Sequence, residues 1–360
     1  MAIKIHIDTD ILEKIGKFEL PPKLGFGEIS GPIMASAEFK NGEWSDLSII
    51  PFGPITLYPT AKVFHYAQEI FEGLKAYNYN DNGPLLFRTN ENYKRFVRSS
   101  ERLAMPAIPE ELFEKAIESV VSYSYPIMPK RAGESLYLRP LLIATDNIMS
   151  VRPSLEYRFF VLTSPSGDYF SSSTIGVLIE REQSRAFPGG IGFAKTGGNY
   201  AASLMAYKKA KELGLSQTLW LDALEHKYIE ELSGMNFFAI INGELHTPEL
   251  NDTILEGVTR DSLLKLAAHN GIKVVERKMP IDELLRDIKN HHCTEAFACG
   301  TAAVVTPLTF LQDANGERFE FENQSAPIGM MLKSKLLDIQ EGRSVDPFGW
   351  TRKVQGASLQ

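Results

Sequence analysis

One lysine sits among five glycines in residues 188–206, which begin Pro188-Gly189-Gly190-Ile191-Gly192-Phe193-Ala194-Lys195-Thr196-Gly197-Gly198-Asn199-Tyr200. Glycine reaches left-handed backbone conformations and lets other groups approach the chain closely. Two chemistries suit such a loop. The first is phosphate cradling. Here Gly189-x-x-x-x-Ala194-Lys195-Thr196 carries alanine where the P-loop pattern G-x-x-x-x-G-K-S/T has its second glycine. Residues 180–187 are also polar and broken, not a buried strand entering the loop. The second is Schiff-base chemistry. A lysine held in a tight pocket near cationic groups has a lowered pKa, and its amine becomes a nucleophile toward an aldehyde such as that of pyridoxal phosphate. A solvated surface lysine is the third reading, and this stretch alone does not decide among them.

The elements around the loop must position it. After Asn199, Tyr200, Ala201, Leu204, Met205 and Ala210 recur at helical spacing and Gly214 reads as a stop, which predicts one helix of about four turns. Short strand-like pieces, such as 55–58, occupy residues 1–60. Leu85-Leu86-Phe87 reads as the return strand of a hairpin after Asp81-Asn82-Gly83. Asn90 caps a helix to about Leu103 with Tyr93, Phe96 and Val97 on its buried side. Another helix starts after Pro109 with Leu112, Phe113, Ala116, Ile117, Val120 and Val121 on one face. Strands are expected at 135–144, 159–162, 175–179, 218–221 and 273–276, and helices at 259–269 and 281–288. Pro165-Ser166-Gly167 and the serines after it make the best linker. The result is a small N-terminal α/β domain (1–165), a linker (166–174) and a larger C-terminal domain (175–360), α/β or α+β in class.

The bulk properties narrow the function. A chain of 360 residues is long for a single core. Its net charge of −7 argues against nucleic acid or anionic membrane as the main partner. No apolar run reaches the ~18 residues of a spanning helix. The N-terminus alternates apolar and polar residues and lacks the apolar core of a signal peptide. Two cysteines, Cys293 and Cys299, make neither a disulfide framework nor a zinc set, so no metal is expected and a reducing, cytoplasmic setting is.

Pyridoxal phosphate needs a lysine for its aldehyde, an acid for its ring nitrogen and fixed donors for its phosphate. Glu231-Leu232-Ser233-Gly234-Met235-Asn236-Phe237-Phe238, then Leu245-His246-Thr247 and Leu255-Glu256-Gly257-Val258-Thr259-Arg260, supply an acid and a helix opening. This spaced pattern resembles the signature of the class IV pyridoxal-phosphate aminotransferases. Phe71-Glu72-Gly73-Leu74-Lys75-Ala76, Ser135-Leu136-Tyr137-Leu138-Arg139-Pro140, Lys195-x-Gly197-Gly198-Asn199-Tyr200 and Gly300-Thr301-Ala302 are similar to motifs of the branched-chain amino acid aminotransferases. They occur in the same order, and the branch resembled is the longer one that includes the animal enzymes.

The resemblance implies a fold type IV architecture of two domains with the cofactor at their interface, and reversible transfer of the amino group of leucine, isoleucine or valine to α-ketoglutarate. It implies Lys195 as the Schiff-base lysine and general base, Tyr200 at the cofactor's phenolic oxygen and Glu231 at its ring nitrogen. Arg95, Val258, Thr259 and Thr301 would hold phosphate. Arg185 would be a second cofactor arginine or else a solvated charge. Tyr137, Arg139, Thr301 and Ala302 would face substrate carboxylates, and Phe26, Phe71 and Tyr169 would wall an aliphatic pocket. Tyr66, Met149 and Val151 would reach in from the partner subunit of a homodimer. For each aromatic taken singly, core packing is the alternative. A D-amino acid aminotransferase or an aminodeoxychorismate lyase is the rival within the class, and a P-loop-like nucleotide-binding protein the rival outside it. The chain departs from the animal pattern at one place: the C-x-x-C positions after Gly-Thr are Ala303 and Thr306. Cys299, in an apolar run, reads as a small buried hydrophobe and not as a redox sensor.

Overall fold

The computed structural model describes residues 3–167, 169 and 174–355. They fall into two compact units. The first holds the described residues up to Tyr169, Lys195–Gly197, and those from Leu337 on; the second holds the described residues between, Gly198–Leu336 and those up to Ala194.

Among its described residues the first unit has a ten-stranded, mostly antiparallel sheet. Its long centre is the pair Ser135–Ala144 and Tyr157–Ser166, in register from Ser135 opposite Ser166 to Ala144 opposite Tyr157. Ile33–Lys40 flanks one side and Leu74–Tyr77 the other. The hairpin partner Leu85–Phe87 follows the 74–77 strand, as the turn residues predict. The expected strand at 55–58 is irregular instead, because Pro51, Pro54 and Pro59 remove ladder donors around a largely exposed segment.

The Glu110–Ser124 helix begins after Pro109, which lacks the amide a helix start would waste, and carries Glu110 and Glu111 where the helix dipole favours acids. All six apolar positions expected on its face are buried. Phe113 meets Tyr93 and Phe96 at 5.5 Å and Phe159 at 6.1 Å. The Thr89–Arg102 helix differs from expectation. It starts one residue before Asn90, and its buried face is Thr89, Asn92, Arg95, Phe96, Ser99 and Ser100, with Tyr93 and Val97 only partly covered. A helix that buries polar groups at helical spacing has been built to serve something beside it.

In the second unit nine strands form one sheet among the described residues. Ile229–Leu232 pairs with both Gln217–Leu221 and Met235–Ile241. That second pairing closes a circuit of six strands through Ile175–Glu180, Val304–Gln312 and Cys293–Gly300. The strands predicted at 175–179, 218–221 and 273–276 lie in this sheet, and the helices appear as Val258–His269 and Ile281–Lys289. The single helix expected after Asn199 is broken into Gly197–Ala201 and Leu204–Glu212. Ser203 explains the break, since its Oγ donates to the Tyr200 carbonyl at 2.7 Å and competes with the helical ladder.

Two segments lie elsewhere than the sequence boundaries put them. Thr351–Lys353 pairs antiparallel with Leu85–Phe87, so the C-terminal segment belongs with the first unit. Lys195 does too: Phe71 N–H donates to its carbonyl at 3.0 Å and its own N–H donates to Ser99 Oγ at 3.0 Å. The linker expected at 166–174 begins inside a strand, since Ser166 still pairs with Ser135, and Asp168 and residues 170–173 lie outside the described residues.

The aromatic cluster around Phe113 carries the first unit's core. Phe113→Ala is expected to cost about 3–5 kcal/mol in urea unfolding, because the three rings around it cannot close over the lost volume. A loss under about 1 kcal/mol would show that the cluster collapses freely.

Candidate active site

In the first unit the lysine is held from three sides. The Glu69–Phe71 strand and the Ser99 hydroxyl fix its backbone, and its Nζ lies 4.9 Å from the centre of the Phe71 ring. Glu69 receives the amide of Gly197 and the Thr196 hydroxyl. A Cβ on Gly197 would stand 2.4 Å from Glu69 Oε1, so any side chain there would push that carboxylate aside. Burial raises the pKa of Glu69.

Beneath the lysine, Glu72 and Arg95 form a buried pair. Arg95 Nε reaches Oε1 at 2.6 Å and Nη2 reaches Oε2 at 2.9 Å, while Asn92 Nδ2 donates to Oε2 at 2.8 Å. Burial pushes the Glu72 carboxyl up, but Arg95, Lys195 and Asn92 outweigh it and hold it below the ordinary range. Arg139 lies 4.6 Å over Phe71 and donates to Tyr137 Oη at 2.9 Å. Among the described residues its Nε is buried without a hydrogen-bond partner, a donor suited to an incoming carboxylate. Gly73 makes this approach possible, since a Cβ there would lie 2.2 Å from Tyr137 Oη. Phe26 packs edge-on against Tyr137 at 4.8 Å and Tyr169 at 5.1 Å.

Tyr66, Met149 and Val151 are not gathered with these residues by any such contact. Tyr66 Oη donates to the Met149 carbonyl, Lys62 Nζ to that of Ser150, and the three side chains are 41, 59 and 87% exposed.

In the second unit the acid and arginine meet. Glu231 and Arg185 are both buried, with Nη2 2.6 Å from Oε1. Asn236, opposite Glu231 across the hairpin, donates to Oε2 at 3.1 Å and to the Leu255 carbonyl at 2.9 Å. Arg185 is thus a buried structural partner of Glu231 and not a solvated charge. Asn236 also ties the acid to the helix Val258–His269, because a Cβ on Gly257 would lie 2.1 Å from its Oδ1. No side chain caps that helix, so the first-turn amides of Val258 and Thr259 are available to an anion. Tyr200 Cε1 lies 3.9 Å from where a Gly234 Cβ would stand. Thr301 and Ala302 occupy the turn between Cys293–Gly300 and Val304–Gln312.

The glycine loop has a packing role as well. Gly192 admits the 251–254 segment so closely that a Cβ would meet Thr253 Cα at 2.6 Å. Asp252 Oδ2 accepts the Gly189 amide at 2.5 Å, and the Asp252 carbonyl that of Phe193 at 3.1 Å. The strand before the loop ends at Glu180 and residues 181–188 contain no other, so no strand leads directly into Gly189 as in a P-loop.

Four participants carry no role on sequence grounds: Glu72, Ser99, Asn236 and Thr253. Glu72 and Asn236 stand inside the quoted motifs and could have been flagged there. Ser99 is visible only as a polar residue at helical spacing from Asn92 and Arg95.

Each unit carries groups that fit pyridoxal phosphate: the first the Lys195 amine for its aldehyde, the second a buried acid with its own counter-charge and uncapped helix amides. Among the described residues no cluster could hold a metal ion and no helix is long and apolar enough to cross a membrane.

The sequence model of the amino-transferase class IV family matches residues 69–310. The branched-chain-amino-acid aminotransferase of Mycolicibacterium smegmatis (strain ATCC 700084 / mc(2)155) is 44% identical over 338 residues, 92% of each chain. The branched-chain-amino-acid transaminase 1 of Bacillus subtilis (strain 168) is 44% identical over 93% of this chain and 95% of its own. Among solved structures, a T.th. branched-chain amino acid aminotransferase with pyridoxamine 5'-phosphate superposes with a TM-score of 0.71 at 28% identity, over 92% of this chain and 99% of that one.

Both cysteines are buried, and burial pushes both thiols up, away from the reactive thiolate. Mild peroxide is therefore expected to leave both thiols titratable after subsequent unfolding. Loss of the Cys299 thiol from folded protein would overturn that reading.

Proposed function

The chain belongs to the class IV aminotransferases, and we propose that it moves the amino group of leucine, isoleucine or valine reversibly to α-ketoglutarate with pyridoxal phosphate as its cofactor. The observation that carries the cofactor assignment is the buried Glu231 carboxylate, partnered by Arg185 at 2.6 Å and by Asn236. A protein that only bound nucleotide or phosphate would have no use for such an acid. The names of the relatives, alike over nine-tenths of the chain, support the substrate class. They also favour it over a D-amino acid aminotransferase or an aminodeoxychorismate lyase.

When bound, pyridoxal phosphate supplies an aldehyde that takes up amines and a protonated ring that withdraws electrons from the substrate's α-carbon. Lys195 Nζ would be the nucleophile for that aldehyde and, as a free amine, the base that takes up and gives back the substrate's α-proton. Glu231 keeps the ring nitrogen protonated, and its charge counts most as electrons arrive. Tyr200 donates to the phenolic oxygen. The Val258 and Thr259 amides, Thr301 and Arg95 hold phosphate, with Glu72 keeping Arg95 in place. Arg139 and Tyr137, and separately Thr301 and Ala302, would receive the substrate carboxylates. Phe26, Phe71 and Tyr169 form the aliphatic wall. Both half-reactions would use the same residues, so ping-pong kinetics are expected.

A homodimer is part of this reading. Met149 and Val151 leave large apolar side chains in water beside Tyr66, and a second copy of the chain would cover them. The cytoplasm is the compartment we assign, since both cysteines are unpaired.

Lys195→Ala is expected to fold, to lose the visible absorption that borohydride bleaches in the parent protein, and to fall to background turnover. Wild-type transamination by this variant would end the proposal. Glu231→Gln is expected to lower kcat on the order of 10²-fold, the scale of one preorganised electrostatic partner, with only modest loss of bound cofactor. An unchanged kcat with the panel of branched-chain donors would remove Glu231 from the ring nitrogen.

A further inference from the structure

Glu230 and Glu231 are consecutive residues of one strand, so their side chains leave it on opposite faces. The reaction assigned above uses only Glu231. Yet Glu230 is 3% exposed, and among the described residues its buried Oε2 has no hydrogen-bond partner. An ionised carboxylate does not tolerate that environment without a donor.

The hydrogens around it show which form is present. Thr253 Oγ1 contacts both Glu230 Oε1 and, at 2.7 Å, Asn251 Oδ1. Asn251 cannot be turned to offer its amide instead, because the same Oδ1 accepts the Thr253 backbone N–H at 2.9 Å. A threonine hydroxyl has one proton to give. If that proton goes to Asn251, the contact with Glu230 is a hydrogen bond only when Glu230 is the donor. If Glu230 were ionised, the hydroxyl would have to choose, and one close oxygen pair would face each other with no proton between them. Only the neutral acid completes the chain from Glu230 to Thr253 to Asn251.

Thr253 carries this arrangement to the cofactor acid. Its carbonyl accepts from Arg185 Nη2, and the same guanidinium group holds Glu231 Oε1 at 2.6 Å. We propose that Glu230 is a positioning residue that acts as a neutral carboxylic acid: by donating its proton to Thr253 it fixes the carbonyl on which Arg185 rests, and so aims Glu231. The inference rests on the assignment of Glu231 to the cofactor ring. Ionised, Glu230 would instead be a second anion competing with Glu231 for Arg185.

The surroundings agree. Burial is the largest influence on Glu230 and pushes its pKa to about 7, with Thr253 and Arg185 pulling down and Glu231 and Asp222 adding to the rise. Glu230 also borders a cavity of about 160 Å³ whose other ionisable groups are Asp222, Glu225, Tyr228, Glu249, Arg277 and Lys278. Asp222 is occupied by the backbone amides of Leu224, Glu225, Lys227 and Tyr228 and does not donate. Arg277 is engaged by Glu283, and Lys278 lies 5.5 Å from the Tyr228 ring.

The sign of the pH effect follows. A carboxyl whose folded pKa lies above its unfolded value stabilises the fold fully below the unfolded pKa, here 4.5, and loses that contribution as pH rises through about 7. Glutamine can donate to Thr253 as the neutral acid does, but it cannot ionise. The test compares wild type, Glu230→Gln and Glu230→Ala. Thermal unfolding of the cofactor-free proteins between about pH 5 and about pH 8 is expected to show wild type losing stability relative to Glu230→Gln as pH rises. At saturating pyridoxal phosphate, Glu230→Ala is expected to lower kcat about tenfold with KM for the amino donor little changed, and Glu230→Gln to stay within about twofold of wild type. Parallel unfolding profiles for wild type and Glu230→Gln would show that no proton is held at Glu230. A kcat as low in Glu230→Gln as in Glu230→Ala would show that charge, not a donated proton, does the positioning; either result overturns the proposal. Wild-type protein that takes up no pyridoxal phosphate would instead sink the assigned function, and the unfolding comparison would still judge Glu230.

Discussion

A carboxylate taken out of water needs a counter-charge, and each unit builds its functional residues around such a pair. In the first it is Glu72 with Arg95, bonded through two nitrogens. In the second it is Glu231 with Arg185. Both pairs are buried and both draw in an asparagine, Asn92 or Asn236, that uses remaining lone pairs. Breaking either pair by removing one partner would leave a bare charge inside, so the pairs constrain everything attached to them. The Thr89–Arg102 helix must present a polar face, and Gly192 and Gly257 must stay without side chains.

That constraint explains what was legible in the sequence. Apolar periodicity placed the Glu110–Ser124 helix and the long strands well, because burial there is a matter of hydrophobic faces alone. It misread the Thr89–Arg102 helix, whose inner face holds Arg95 and Ser99, since a polar residue on a pattern reads as solvent-facing. It ran one helix through Ser203, where a side-chain hydroxyl takes the Tyr200 carbonyl. The boundary of the C-terminal domain misplaced Thr351–Lys353 because strand pairing with Leu85–Phe87 spans most of the chain and leaves no local mark.

The site residues divide in a similar way. Those with unusual chemistry in a spaced motif, such as Lys195 and Glu231, stand out from types and order alone. Those that work by supporting others do not. Thr253 and Ser99 are ordinary residues until the structure shows whose backbone or guanidinium they hold. Tyr137 and Arg139 lie between these cases: a strand of alternating faces puts both on one side, and the structure shows the guanidinium bonded to the phenol and lying over Phe71.

The six-strand circuit of the second unit has a further bearing. Every strand in it has a neighbour on each side, so none presents a bare row of amides to another chain. The turn that emerges from it at 301–303 can therefore change in length without exposing an edge for aggregation. A scaffold of that kind lets a lineage alter that turn while Glu231 stays anchored on the ring.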